Sequence, residues 1–223
     1  MDSSSPAPAS RPRRPRGSLT RELILDAAES VAQDGFEALT LRAVAARLEA
    51  APMAIYRYFA TKDELIDVML DRVLGRFESQ APSDNWVEDL ASFAREHRRV
   101  LSQHPWALVG FFSHPSPGRN ATRIGEIALE ILSRAGFASE EMVAIFGGLL
   151  ALNYGWTAFA SARDRQPANA AAQVRRALAT MPVSVYPHTA AVAADMAQYG
   201  ADRHYELLLG HLLAGIRGAA PHS

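Results

Sequence analysis

The chain has no cysteine and a single lysine, Lys62. Without thiols it can form no disulfide, no thiolate zinc site and no cysteine nucleophile. Long apolar runs are also missing: Asn, Gly, Arg or His interrupts each one well short of the ~20 residues that span a bilayer. The arginines near the start are followed by no apolar core of the kind a secretory signal carries. These absences predict a cytoplasmic protein with no membrane partner. There is no Gly-rich phosphate loop, no nucleophile elbow and no carboxylate pair at a convincing spacing, so neither an enzyme nor a cofactor is expected. Charge of one sign is lacking too. The 23 basic side chains nearly balance 24 acidic ones, giving a formal net charge of -1. That excludes a polycation coating nucleic acid, but it permits a local basic patch.

What is present is apolar residue, 48% of 223, enough for one domain of ordinary size or a small domain joined to a larger one. Residues 1–17 are Ser, Pro, Ala and Arg without apolar periodicity, and they read as a disordered tail. Arg11, Arg13, Arg14 and Arg16 face one acid, Asp2. The tail is either a solvated leader or a basic arm that tracks phosphates or enters a minor groove.

From Ser18 onward the periodicity is helical and no strand alternation appears, so the fold class is all-α. Ile24 or Leu23, Ala27, Ala28, Val31 and Ala32 mark one helix face, and Gly35 ends that helix. Thr40 caps a second helix carrying Leu41, Val44, Ala45 and Leu48. Pro52 opens a third, to Phe59, with Ile55, Tyr56 and Phe59. Thr61-Lys62-Asp63-Glu64 is a capping box for a connecting helix over 62–79. Further helices are expected over 86–103, 119–134, 139–163, 170–181 and 189–217, after a linker at 80–85 and a short apolar piece from Trp106 to Phe112.

Two short helices joined by a tight turn, flanked by longer ones, form a recurring DNA-reading arrangement. Here the turn is Glu49, Ala50 and Ala51. The second of the pair would present Pro52, Met53, Ala54, Tyr56, Arg57 and Tyr58 to base edges and phosphates. Thr40, Arg42 and Lys62 would meet the backbone at helix starts. The plainer alternative is a small helical subdomain in which Tyr56, Tyr58 and Phe59 are core.

Ile24-Leu-Asp-Ala-Ala, Gly35-Phe-Glu-Ala-Leu-Thr-Leu-Arg42, Val44-Ala-Ala-Arg-Leu48 and Ile55-Tyr-Arg-Tyr-Phe-Ala-Thr-Lys-Asp-Glu-Leu65 together resemble the signature of the TetR family. The resemblance implies a three-helix helix-turn-helix domain over 18–64 and a larger helical ligand-binding and dimerisation domain over 80–218. It also implies a homodimer on a palindromic double-stranded operator and a small-molecule inducer. One departure is Glu49, where the family usually has Gly. A side chain there must accept a strained or altered backbone, setting the recognition helix slightly differently.

The larger part is similar, more loosely, to tetracycline repressors, through Trp86, Leu101-Ser-Gln-His104, His114-Pro115 and the closing Leu207–Ile216 run. That resemblance places a pocket wall at Phe93, His97, Gly110, His114, Pro115 and Ile127, with Trp106, Asn153 and Trp156 near the same space. Each of these aromatics is also an ordinary core candidate. Tetracycline repressors hold the drug's magnesium through histidines, but Gly110 stands where the principal one belongs, and Leu74 or a near neighbour where another drug-contacting one belongs. The inducer is therefore expected to be an apolar or aromatic compound other than tetracycline, with no metal. His97 with His104, and His204 with His211, lie seven apart, too far for easy shared ligation. Ile145, Leu149, Leu152, Trp156 and Phe159, opposite Phe146, Leu150, Tyr154 and Ala158, make a helix apolar nearly all round. With the stripe Tyr205, Leu208, Leu209, Leu212, Leu213 and Ile216, this predicts a dimer interface, the alternative being intramolecular core. A repressor is the first reading; an activator, or a regulator without a small-molecule inducer, is the other.

Overall fold

The computed structural model describes residues 19–114 and 118–221. The tail at 1–17 and Pro115 lie outside them. Twelve α-helices occur among the described residues: α1 (Arg21–Gln33), α2 (Leu41–Arg47), α3 (Pro52–Ile55), α4 (Lys62–Leu74), α5 (Trp86–Gln103), α6 (Ala107–Ser113), α7 (Arg119–Arg134), α8 (Ser139–Asp164), α9 (Ala170–Ala179), α10 (Pro187–Ala191), α11 (Ala193–Met196) and α12 (Asp202–Ala219). No strand is present among them, so the fold is all-α. The contacts divide the chain into two compact units, residues up to 70 with 109–114, and 71–108 with 118–221.

In the first unit, side-chain caps start the helices. Thr20 Oγ1 accepts from Leu23 N at 3.2 Å and Thr40 Oγ1 from Ala43 N at 3.0 Å. Thr61 Oγ1 accepts from Glu64 N at 3.0 Å, and the Glu64 carboxylate reaches back to Ala60 N at 2.8 Å. Each cap satisfies amides that the first turn leaves without a helical partner. Ile24, Ala28, Val44, Ile55, Phe59 and Leu65 are fully buried and form the core. Ile24, not the part-exposed Leu23, is the inward residue of α1.

The turn after α2 closes through Ala50 N to Ala45 O at 2.9 Å and Glu49 N to Ala46 O at 3.1 Å. This is the double bond pattern of a Schellman end, whose turning residue must be left-handed. That residue is Glu49, at φ +52°, the only non-glycine with positive φ among the described residues. The strain the sequence implies is real, but it sits in one dihedral and leaves the hydrogen bonds intact.

In the second unit, α5 is the central helix, packed by α7, α8 and α12. Leu90, Phe93, Ala94, His97, Val100 and Leu101 are its buried face. A chain of polar groups lies in this core. Asn153 Nδ2 donates to Ala94 O at 2.9 Å and to His97 Nδ1 at 3.1 Å, while the Tyr205 hydroxyl donates to Asn153 Oδ1 at 2.8 Å. An amide nitrogen can only donate, so His97 Nδ1 is an acceptor and the ring is neutral. Desolvation lowers the His97 pKa to about 4.

Several boundaries differ from the sequence expectation. The third helix stops at Ile55 and turns through Tyr58, because the Tyr58 N–H takes a tighter bond to Ile55 O at 2.9 Å. The connecting helix ends at Leu74, not 79. Gly75 follows, where a Cβ would lie 3.1 Å from both Arg72 O and Asn120 Nδ2. The expected helix 189–217 is three pieces, α10 to α12, broken at Val192 and at Gly200, whose φ is +84°. By length and composition α8 is apolar enough to cross a membrane. The expectation from interrupted runs missed this because Gly147, Gly148 and Gly155 break runs without making the average polar.

Two outcomes follow from these positions. Glu49→Gly relieves left-handed strain of roughly 1 kcal/mol, partly offset by the greater freedom of glycine in the unfolded chain. Urea denaturation should show a net gain of about 0.5 kcal/mol, and Glu49→Val a loss; a destabilised Glu49→Gly contradicts the assignment of strain. For His97, the unfolded ring takes a proton near pH 6.5 whereas the folded ring resists until about pH 4. Stability should therefore fall as pH drops from about 6.5 to about 4, by up to ~1.4 kcal/mol per unit from this group. His97→Gln should flatten that part of the curve measured by urea midpoints.

Candidate DNA-binding face and ligand pocket

In the first unit, α3 is anchored by Ile55 and Phe59, both 0% exposed, which turns the intervening residues outward. Pro52, Met53, Tyr56 and Arg57 are exposed, Met53 by 72% and Tyr56 by 48%. Ala54 is half-buried. Thr40, Arg42, Tyr56 and Lys62 rim one open depression, which brings the starts of α2 and α4 beside α3. Cations at helix starts with free amides suit phosphate contact, and the outward face of α3 suits base edges.

Tyr58 is a correction. The sequence reading presents it outward, but it is half-buried and its hydroxyl donates to Leu19 O at 2.5 Å. Its own carbonyl accepts from Arg21 at 3.0 Å. Arg21 also lies 4.2 Å over the Phe59 ring and 3.6 Å from Glu64. Thus Leu19, Arg21 and Glu64 clamp the end of the recognition segment to α1 and α4. The signal for Arg21 was available: a cation in a helix's first turn opposes the dipole, so it needs another reason to be there.

In the second unit, a partly open slot of about 460 Å³, mouth included, lies between the segment Phe77 to Pro82, α5 and α7. Phe77, Phe93, Ile127 and Ile131 give it an apolar wall, with Ser92, Glu130 and Arg134 at the side. Phe93 is stacked on His97, ring centroids 6.2 Å apart and planes 6° from parallel, and tilts against Phe77 at 5.4 Å. Arg134 meets Asp89 at 2.5 Å and donates to Ser83 O at 2.8 Å. Burial pushes the Asp89 carboxyl up, but Arg134 and Ser83 outweigh it and hold the pKa below the usual range.

Of the residues expected at a pocket, Phe93 and Ile127 line this slot. His97 and Asn153 lie behind it in the buried polar chain. Trp156 is buried edge-on to Tyr205 at 5.9 Å, and its indole N–H has no partner among the described residues. Trp106 is half-buried against His104, ring centroids 6.1 Å apart, away from the slot. His114 does not join them: it groups with the first unit, 3.6 Å from Asp67 and beside the Phe36 ring. Phe77 to Pro82, Ser92 and Arg134 were not expected: Phe77 falls within the connecting helix expected over 62–79, and Gln80 to Pro82 lie in the linker, which has no periodic signal.

Gly110 is enclosed. A Cβ there would lie 2.8 Å from Leu70 and 3.0 Å from Phe36. The space a histidine would need is filled by those side chains, so the residues present do not fit the metal chelate of tetracycline repressors.

A family model described as tetracyclin repressor-like, C-terminal domain, matches residues 78–219, and one for bacterial regulatory proteins of the tetR family matches 24–69. An HTH-type transcriptional regulator of Saccharopolyspora erythraea is 36% identical over 138 residues, 61% of this chain and 58% of that protein. The HTH-type transcriptional repressor DrrR1 of Streptomyces coeruleorubidus is 36% identical over 143 residues, 60% of this chain and 51% of that protein. The chain thus spans between half and three fifths of the length of these relatives. Among solved structures, the TetR family protein ActR of Streptomyces coelicolor in complex with actinorhodin superposes with a TM-score of 0.82 at 25% identity, covering 92% of this chain and 99% of that one. With both domain models in order along an all-helical chain, the protein belongs to the TetR family of transcriptional regulators.

Proposed function

We propose that the protein is a repressor that binds a palindromic operator as a homodimer and is released by a small apolar or aromatic inducer other than tetracycline. The observation that carries this is the outward face of α3, where Pro52, Met53, Tyr56 and Arg57 stand bare over a buried Ile55 and Phe59. Thr40, Arg42 and Lys62 are taken as its phosphate contacts; Ala54, half-buried, has room only for a close apolar contact such as a thymine methyl. The name of DrrR1 as a repressor supports the sign of regulation.

Dimerisation is supported by glycines with no local purpose. A Cβ at Gly147, Gly148, Gly155, Gly210 or Gly215 would meet nothing within 4 Å, so the fold of one chain does not need them. On the same helices Val143, Phe159, Leu207 and Leu208 are exposed. Bare, small-residue faces on α8 and α12 suit close approach to the same helices of a second copy. Two recognition helices about 34–36 Å apart would then read half-sites one turn apart. The apolarity of α8 is assigned to this interface, since Asn153 and Thr157 are packed against protein.

The slot under Phe77 to Pro82 is proposed as the inducer site. The ActR complex with actinorhodin supports a small-molecule ligand for this fold. α4 is shared by the two units, so a ligand that moves Phe77 acts on the segment leaving α4. Its effect must be reciprocal: operator weakens ligand binding by the factor that ligand weakens operator binding.

Anisotropy titration onto DNA upstream of the gene, at fixed salt, should show binding about a thousandfold or more tighter than to a scrambled duplex. Tyr56→Ala and Arg57→Ala should each cost about tenfold or more of that specific affinity, whereas Lys62→Ala should lower the salt slope by about one. Tyr58→Phe should lower stability by about 1 kcal/mol with operator affinity unchanged. Equal affinity for both duplexes would sink the operator reading. Actinorhodin is the first probe of the slot: release from DNA should be abolished by Ile127→Trp, which fills it, with operator binding intact.

A further inference from the structure

A second concavity lies where the C-terminal half of α5, the last turns of α8 and the first turn of α12 meet. It is an open groove of about 1430 Å³, mouth included, and shares no lining residue with the apolar slot. Arg95, Arg98 and Arg99 enter it from α5, and Arg163 and Arg165 from the end of α8 and just beyond. Its lining acids are Asp164, Asp202 and Glu206. Arg95, Arg98 and Arg163 pair with them and Arg99 pairs with Glu96 at 2.6 Å, which leaves Arg165 as the guanidinium in excess.

The floor is built. The Arg98 guanidinium lies 4.2 Å over the Tyr205 ring and bonds Asp202. Tyr205 is itself fixed by its hydrogen bond to buried Asn153. Arg95 meets Glu206 at 3.1 Å. Arg165 is different: it donates to Ser161 Oγ at 2.9 Å and has no carboxylate partner among the described residues. Thr157, 1% exposed, is among the lining residues, and its buried hydroxyl has no hydrogen-bond partner among the described residues. Burying a hydroxyl in that state is unfavourable unless another molecule supplies the partner. At the same end α12 begins without a side-chain cap, and its first residue, Asp202, is part of the wall. Its first amides therefore add positive potential.

We infer that this groove is a second ligand site, for a small molecule bearing two or more acidic oxygens, carboxylate or phosphoryl. Guanidinium forks match either group with paired hydrogen bonds. A cation is repelled by the unpaired Arg165, and a second acidic group can share the guanidiniums whose carboxylate partners, Asp164 and Asp202, are exposed. The Thr157 hydroxyl serves an anionic oxygen as a donor. An occupant touching α5, α8 and α12 ties the three helices together and stabilises the fold by mass action. Nothing in this rests on the operator or the inducer.

The test is thermal melting of the full chain at constant ionic strength with pyrophosphate, citrate, formate or sodium chloride. Pyrophosphate, citrate or both should raise Tm saturably, and formate and chloride should not. A response to one alone identifies the phosphoryl or the carboxylate class. Arg165→Gln, at an exposed position, should weaken the apparent affinity about tenfold, the loss of one charge-assisted bond. Thr157→Val should raise Tm without ligand and yet weaken the polyanion response; a purely structural hydroxyl would leave that response untouched. Arg175→Gln, exposed on α9 and outside the groove, should leave the response unchanged. The inference is overturned by the absence of a saturable shift, by a shift that survives both groove variants, or by one lost with Arg175→Gln.

Discussion

One buried carboxamide organises the larger unit. Asn153 uses both amide hydrogens on α5, for Ala94 O and His97, and its oxygen on the Tyr205 hydroxyl of α12. In a core of low dielectric such bonds are strong, and each unpaired group would be correspondingly costly. The network therefore fixes the rotation of three helices relative to one another, which apolar packing alone specifies loosely. Phe93, a wall of the apolar slot, stacks on the His97 ring that Asn153 orients. Tyr205, beneath the guanidinium of Arg98, is held from the other side. The apolar slot and the arginine-lined groove thus stand on one polar stack.

Helix starts were legible in the sequence because the groups that satisfy them are local. Thr40 and Thr61 sit three residues before the amides they accept from, and Pro52 opens α3 without an amide to satisfy. The end of α2 was legible as a conflict, a Glu where the backbone wants Gly, and the conflict is present as φ +52°. Tyr58 was misread because it sits on the outward side of a continuous helix; the tightening after Ile55 and the distant carbonyl of Leu19, 39 residues away in sequence, turn it inward. The break at Gly200 was missed for the opposite reason. A lone glycine within a helical pattern is tolerated in many helices, and only the positive φ shows that this one ends a helix.

The pocket was less legible than the DNA-reading face. Family resemblance carries a position along a helix, but not which neighbours occupy the space in front of it. Phe93 and Ile127 reach the slot. Trp106 packs on His104, and His114 is drawn to Asp67 in the other unit. Gly110 shows the limit most directly: the volume of the missing side chain is not a vacancy, because Leu70 and Phe36 occupy it. Conversely, Gln80 to Pro82 carry no periodicity, since an irregular segment is shaped by what it lies on. Asp89 and Arg134, 45 residues apart, supply part of that support.

Helix α7 does not cap itself. Gly118, before its first residue, has no side chain to offer. The carboxylate of Asp71, near the end of α4, accepts instead from Asn120 N at 2.8 Å and Ala121 N at 3.1 Å. Any Cβ at position 118 would fall 2.2 Å from that carboxylate. Two helix termini some fifty residues apart in sequence therefore share one set of bonds. Neither can fray alone: unwinding the end of α4 exposes the first amides of α7 to solvent at the same moment. Their exchange with deuterium becomes a single event, and the last turn of α4 inherits the rigidity of a helix in which it takes no part.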